Sequence, residues 1–209
     1  MSTRPSFPEL IADGLVHGLA IVTAIIASVF LIIHAAQTTS SLVVAAVCVY
    51  CAVMLLSFTV SGIYNMWPYQ WMREPLRRVD HAAIYLKIAG TYTPLVVILG
   101  SLMGYIVLAF IWTVALGGVI GKLAVKTWPN GLNTGLTLTL GWSALILLWP
   151  LIGAIPGTSL WLIFLGGVLY SVGTIFYLWR TLKYQTAIWH MFVLAGSASL
   201  FAAIVVALG

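Results

Sequence analysis

RRVDHAAIYLKIAGTYTPLVVILG, residues 77–100, decides how the whole chain is read. It begins with Arg77 and Arg78 and then runs mostly apolar to Gly100, yet holds Asp80, His81 and Lys87 within the run. A helix over 79–99 meets the length of about 20 residues needed to cross the hydrocarbon core of a bilayer. The basic pair at its start marks the side that stays in the cytoplasm. Asp80 and Lys87 are two helical turns apart on one face, about 10 Å along the axis. Taken alone, Asp80 reads as a helix-start acid beside Arg77, and Lys87 as an amine snorkelling toward the same interface. An ionisable group inside a span costs roughly 2.5–3.5 kcal/mol on insertion scales, so it usually faces a bundle interior or a wet cavity.

The rest of the chain has the same character. Its 209 residues are 62% hydrophobic and 6% charged, with a mean hydropathy of +1.11. Soluble domains carry roughly 25% charged residues, so this composition belongs in a membrane. Long apolar runs, without the ten-residue alternation of a barrel, point to an all-α integral membrane bundle. Seven spans are expected, near 14–36, 41–64, 79–99, 102–124, 133–153, 158–179 and 186–208. Gly100, Ser101 and Gly104 mark a turn between spans three and four. WPNG at 128–131 and IPGTS at 155–159 mark the turns on either side of span five. Pro94 should kink or loosen span three. No signal peptide is expected, because residues 1–13 hold Arg4, Glu9 and Asp13 and no cleavage site follows a short apolar core. Without a repeat or a low-complexity linker, residues 1–209 read as a single domain.

The net charge of +5 raises the question of nucleic acid. Placement of the charges answers it. Arg4 precedes span one; Arg73, Arg77 and Arg78 lie between two and three; Lys122 and Lys126 follow four; Arg180 and Lys183 lie between six and seven. Eight of nine basic residues therefore share one side, and Lys87 alone is within a span. These are topology signals of short loops, which put the N-terminus in the cytoplasm and the C-terminus outside. Cys48 and Cys51 form C-V-Y-C inside an apolar run and read as inert thiols, with no second pair to complete a zinc site.

Other polar residues gather on the cytoplasmic half. Ser61 and Asn65 are i,i+4 at the end of span two, and Thr186 and His190 are i,i+4 at the start of span seven. Each could be a packing residue with an interhelical hydrogen bond. Together with Asp80 they could line one pocket on three spans. His17 lies about a turn into span one, behind Glu9 and Asp13, and His34 lies near its outer end.

DHAAIYLKIAGTYTP (80–94), SGIYNMWP (61–68), GWSALILL (141–148), YSVGTIFY (170–177) and AIWHMFVLAGS (187–197) resemble the hemolysin III family over nearly the whole chain. That family is the bacterial branch of the progestin and adipoQ receptors, related to adiponectin receptors and alkaline ceramidases. The resemblance implies a seven-helix bundle in the bacterial inner membrane. It also implies a zinc site: Ser-x-x-x-His on span two, an Asp opening span three, and His-x-x-x-His on span seven. Three histidines hold the metal and the Asp holds its water, which supports lipid amide hydrolysis in receptor and ceramidase relatives. Here Ser61, Asp80 and His190 match, but Asn65 and Thr186 stand at two of the three histidine positions. A further histidine of many relatives is replaced by Leu200. Neither Asn nor Thr is a common zinc ligand. The sequence therefore favours a non-catalytic or modified-site protein, a lipid sensor or regulator of membrane state, with membrane lipid as its partner and without a firm zinc ion. The alternative is a metal-dependent lipid amide hydrolase, with His190 as ligand or base, Asp80 orienting water and Ser61 bonding the substrate. A cytolysin is disfavoured because no pore-lining polar stripe is visible. Retinal is disfavoured because span seven carries no lysine.

Overall fold

The computed structural model describes residues 6–125, 130–143, 146 and 151–209. Helix α1, Phe7–Thr38, begins where local chemistry asks for it. Ser6 stands at the N-cap with Pro8 in the first turn, and Glu9 accepts hydrogen bonds from the Ser6 backbone N–H at 2.8 Å and its hydroxyl at 2.6 Å. This is the reciprocal capping arrangement that satisfies otherwise orphaned donors. Along α1 the buried residues are Asp13, His17, Ala20, Ala24, Ser28, Leu31 and Ala35, a single stripe at helical spacing. Ile25, Ile26, Val29 and Phe30 point outward. Small and polar inside, large and apolar outside is the pattern of a helix solvated by lipid, where burial of apolar surface no longer drives association.

Five further helices are long and apolar enough to span a bilayer: α2 (Ser41–Met66), α3 (Gln70–Leu99), α4 (Leu102–Ala124), α6 (Gly157–Leu178) and α7 (Gln185–Leu208). Between α4 and α6 lies α5, Asn130–Trp142. The expected fifth span, 133–153, falls partly outside the described residues, at 144–145 and 147–150. Two helices start earlier than hydropathy suggests. Helix α1 adds its capped first turns, and α3 adds an amphipathic segment from Gln70 in which Glu74 pairs with Arg77 at 2.9 Å and Arg78 at 3.2 Å. Helix α3 runs through Pro75 and Pro94. It ends at Gly100, whose φ of 63° is a left-handed cap that glycine adopts without strain. Ser101 then caps α4 by accepting from the Gly104 N–H at 3.0 Å. Pro156 stands at the N-cap of α6. Among the described residues there is no strand, only a bridge between Ile152 and Ile155.

Helix α3 is the most enclosed of the six long helices. It packs between α2 and α4, while α1 packs against both α2 and α7, and α7 against α6. Backbones approach closely where glycines allow it. A side chain at Gly90 of α3 would run into Val53 of α2, and one at Gly196 of α7 would meet the Tyr170 ring and the Gly166 carbonyl of α6. Polar ties fix the register: Ser159 donates to the Ala203 carbonyl at 2.6 Å, Ser199 to Leu162 at 2.8 Å, and Tyr92 to Gly141 at 2.7 Å. Such bonds in a membrane average only about 0.6 kcal/mol each, so they select a geometry more than they supply stability.

Candidate functional site

The starts of α1, α3 and α7 and the end of α2 meet at one end of the bundle. Asp13 and His17 are one turn apart on the buried stripe of α1, each 4% exposed. His17 Nδ1 lies 2.9 Å from the Asp13 carbonyl, one turn back. Across the interface, His190 of α7 brings its Nδ1 to 2.6 Å from Asp13 Oδ1. The two imidazoles stand edge to face with centroids 4.2 Å apart. Their far nitrogens converge: His17 Nε2 is 3.3 Å and His190 Nε2 is 3.4 Å from the Ser61 hydroxyl of α2.

This arrangement dictates where the protons are. A carbonyl and a carboxylate oxygen accept, so both Nδ1 atoms are assigned as donors, which turns both Nε2 atoms toward Ser61 as acceptors. Ser61 has one proton to give and faces two such acceptors. The Asp80 carboxyl of α3 lies alongside the same hydroxyl, near enough to feel His190 and Asp13 as well. Asn65 donates to the Ser61 carbonyl at 2.9 Å and approaches its hydroxyl at 3.5 Å. The centre thus holds more acceptors than donors. A buried group of that kind is completed by a proton, a water or a metal cation. Asp13, His17 and His190 each offer a ligand atom, all within 4.8 Å of one another. The donor set fits a metal of the zinc type: two imidazole Nε2 atoms that converge, with Asp13 holding both rings from behind.

Of the residues singled out in the sequence, Ser61, Asp80 and His190 come together here and Asn65 borders them. Thr186 joins none of these hydrogen bonds. His81, next to Asp80 in the chain, is buried. Asp13 and His17 were passed over as ligands. The signal available was their i,i+4 spacing on a stripe of small residues, which puts an acid and an imidazole on the face that α1 turns inward.

The profile of the family described as "Haemolysin-III related" matches residues 9–201. The chain belongs to the haemolysin III family. It is 40% identical to the "Hemolysin-3 homolog" of Bacillus subtilis (strain 168) over 196 residues, covering 92% of this chain and 91% of that protein. It is 39% identical to the "Hemolysin-3" of Bacillus cereus over 194 residues, covering 92% and 89%. The matched segment of this haemolysin III protein runs from Glu9 past His190, so it takes in every residue of the centre.

Held at a helix end, the centre is also latched. Glu9 Oε1 accepts the Tyr184 backbone N–H at 3.0 Å, just where the chain enters α7. Tyr184 sits at φ 58°, a left-handed conformation uncommon for a residue with a side chain. Gln185 then donates to the Tyr177 carbonyl at the end of α6. The turn that delivers His190 is thereby pinned both to α1 and to α6.

Proposed function

We propose that this protein is a seven-span enzyme of the bacterial cytoplasmic membrane that uses a divalent metal, zinc by donor type, to hydrolyse an acyl bond of a membrane lipid at its cytoplasmic end. The observation that carries the reading is the convergence of two imidazole Nε2 atoms on the Ser61 hydroxyl, with both Nδ1 atoms held by Asp13. Structural packing needs no second histidine there. His17 takes over a role that the replacement of two family histidines by Asn65 and Thr186 had left vacant.

His17 and His190 would hold the metal through their Nε2 atoms, with Asp13 fixing both rings from behind. Bound there, the metal supplies a Lewis acid for a carbonyl oxygen and acidifies water. Asp80 is placed to take a proton from an attacking water and return it to the leaving group. Ser61 donates its hydroxyl hydrogen to the oxygen on which negative charge grows. Asp13 keeps both rings in the Nδ1–H tautomer. The low-dielectric bundle around the centre strengthens each of these interactions.

A second reading rests on Asn65 and Thr186, which are poor ligands at positions where the family has histidine. On that reading the pocket is kept as a lipid sensor that regulates membrane state. Hydrolysis separates the two. Purified protein in lipid nanodiscs, given a long-chain N-acyl amide, is expected to release fatty acid, to lose that activity to a chelator and to regain it with zinc. Asp80→Asn is expected to retain metal and lower turnover by about 100-fold or more, the usual share of a general base. Metal binding without any turnover across amide and ester lipids would remove the hydrolase reading and leave the sensor.

A further inference from the structure

Helix α3 carries a second buried polar group that the histidine centre does not use. Lys87 lies two turns beyond Asp80, about 10 Å along the axis, and is 7% exposed. Its Nζ donates to the Ser197 hydroxyl at 2.8 Å and stands 4.2 Å from the centroid of the Phe58 ring and 5.4 Å from that of Tyr170. Ser197 passes its own proton to the Val193 carbonyl at 2.6 Å and lies 2.6 Å from the Tyr170 hydroxyl. Among the described residues no carboxylate comes within ion-pair distance of Lys87. An ammonium in this setting has N–H groups to spare and only ring faces and one hydroxyl to offset its burial.

Lys87 also borders a cavity of roughly 160 Å³ lined by α3, α5, α6 and α7. Its walls are apolar, with Ile88, Leu95, Trp142, Ile163 and Phe164 among them. The hydroxyls along the wall are already committed: Thr91 donates to the Lys87 carbonyl, Ser171 to Gly167 and Thr174 to Tyr170. Lys87 is the one charged residue of the lining. An apolar chamber with a single cation at its edge, whose electrostatic partner Asp80 stands two turns away and outside ion-pair distance, calls for a ligand with one anionic head on an apolar stem.

We propose that this cavity binds a long-chain fatty acid, its carboxylate against the Lys87 ammonium and its first carbons in the chamber. The size suits it, since a cavity of about 150 Å³ takes a benzene ring; the head and first methylenes fill the chamber, and the rest of the chain stays in lipid. The carboxylate adds an anionic partner in direct contact with Lys87, and a charge-assisted bond in so dry a place is strong. No metal is needed, so the site stands whether or not the histidine centre is a hydrolase.

Cis-parinaric acid is the probe, because Trp142 and Trp189 line the cavity and transfer excitation to it. In nanodiscs the wild-type protein is expected to show saturable transfer that oleate displaces and that oleyl alcohol, acetate and inorganic phosphate do not. Lys87→Met is expected to weaken binding about 10-fold or more, the scale of one lost charged hydrogen bond, and Lys87→Arg to keep it within a few-fold. Leu138→Trp, which fills the chamber and keeps the cation, is expected to abolish saturable transfer and covers the case in which Lys87→Met does not fold. Chelator-treated protein is expected to bind alike. Displacement by oleyl alcohol as effective as by oleate, displacement by the small anions, or unchanged binding in Lys87→Met would each overturn the assignment.

Discussion

At the scale of single residues, Asp13 decides the chemistry of the centre, because one residue holds both histidines. It does so with different atoms: its carbonyl takes the His17 proton and its carboxylate the His190 proton. Asp13→Asn keeps the size and loses the charge behind His190. Loss of such an outer partner typically costs 10- to 100-fold in metal affinity, and a zinc titration with a competing chelator is expected to read about that loss. Asn65 and Thr186 offer the complementary test. Asn65→His with Thr186→His adds imidazoles at the inner ends of α2 and α7 and is expected to tighten zinc by at least about tenfold; unchanged affinity would mean that those positions do not face the centre. The residues on α2, α3 and α7 were legible because motif and spacing named them. Asp13 and His17 were not, because an acid and a histidine near the start of a first span read equally well as interfacial residues. Only the packing of α1 between α2 and α7 turns their face inward.

At the scale of elements, two contacts set how α7 presents His190. The first is the latch of Glu9 on the Tyr184 N–H. Glu9→Ala removes that bond together with the α1 cap and is expected to cost about 1 kcal/mol, a typical cap loss, seen as a lower melting temperature in detergent. The second is the close approach of α6 and α7 at Gly166 and Gly196, where an added Cβ at Gly196 would lie 2.9 Å from the Tyr170 ring. Gly196→Val forces the helices apart, and overpacking of this kind costs about 1–3 kcal/mol. It is expected to lower the melting temperature more than Glu9→Ala does and to weaken fatty-acid binding by displacing the Tyr170 ring that faces Lys87. Six of the seven expected spans were readable from hydropathy, and the fifth lies partly outside the described residues. Helix ends were not, since the first turns of α1 and α3 are held by a capping serine and by Glu74 with its arginines, and neither device is apolar.

At the scale of the whole molecule, topology and site depend on each other. Six long helices and the shorter α5 are described, and the charge pattern asks for an odd number of spans with the N-terminus in the cytoplasm. A C-terminal alkaline phosphatase fusion is therefore expected to be active and a C-terminal green fluorescent protein fusion dark; the reverse would put both termini on one side. The loop charges carried that expectation because they act locally, through short connections. The centre is different. It needs α1 from one end of the chain and α7 from the other, a pairing that no local pattern encodes. For the same reason, metal content reports on the assembled bundle. Atomic emission on protein purified without added metal or chelator tests the central claim most directly: one zinc-type ion per chain in the wild type and almost none in His17→Ala of equal melting temperature is the predicted result, and a metal-free wild type, or an undiminished ion in His17→Ala, would contradict it.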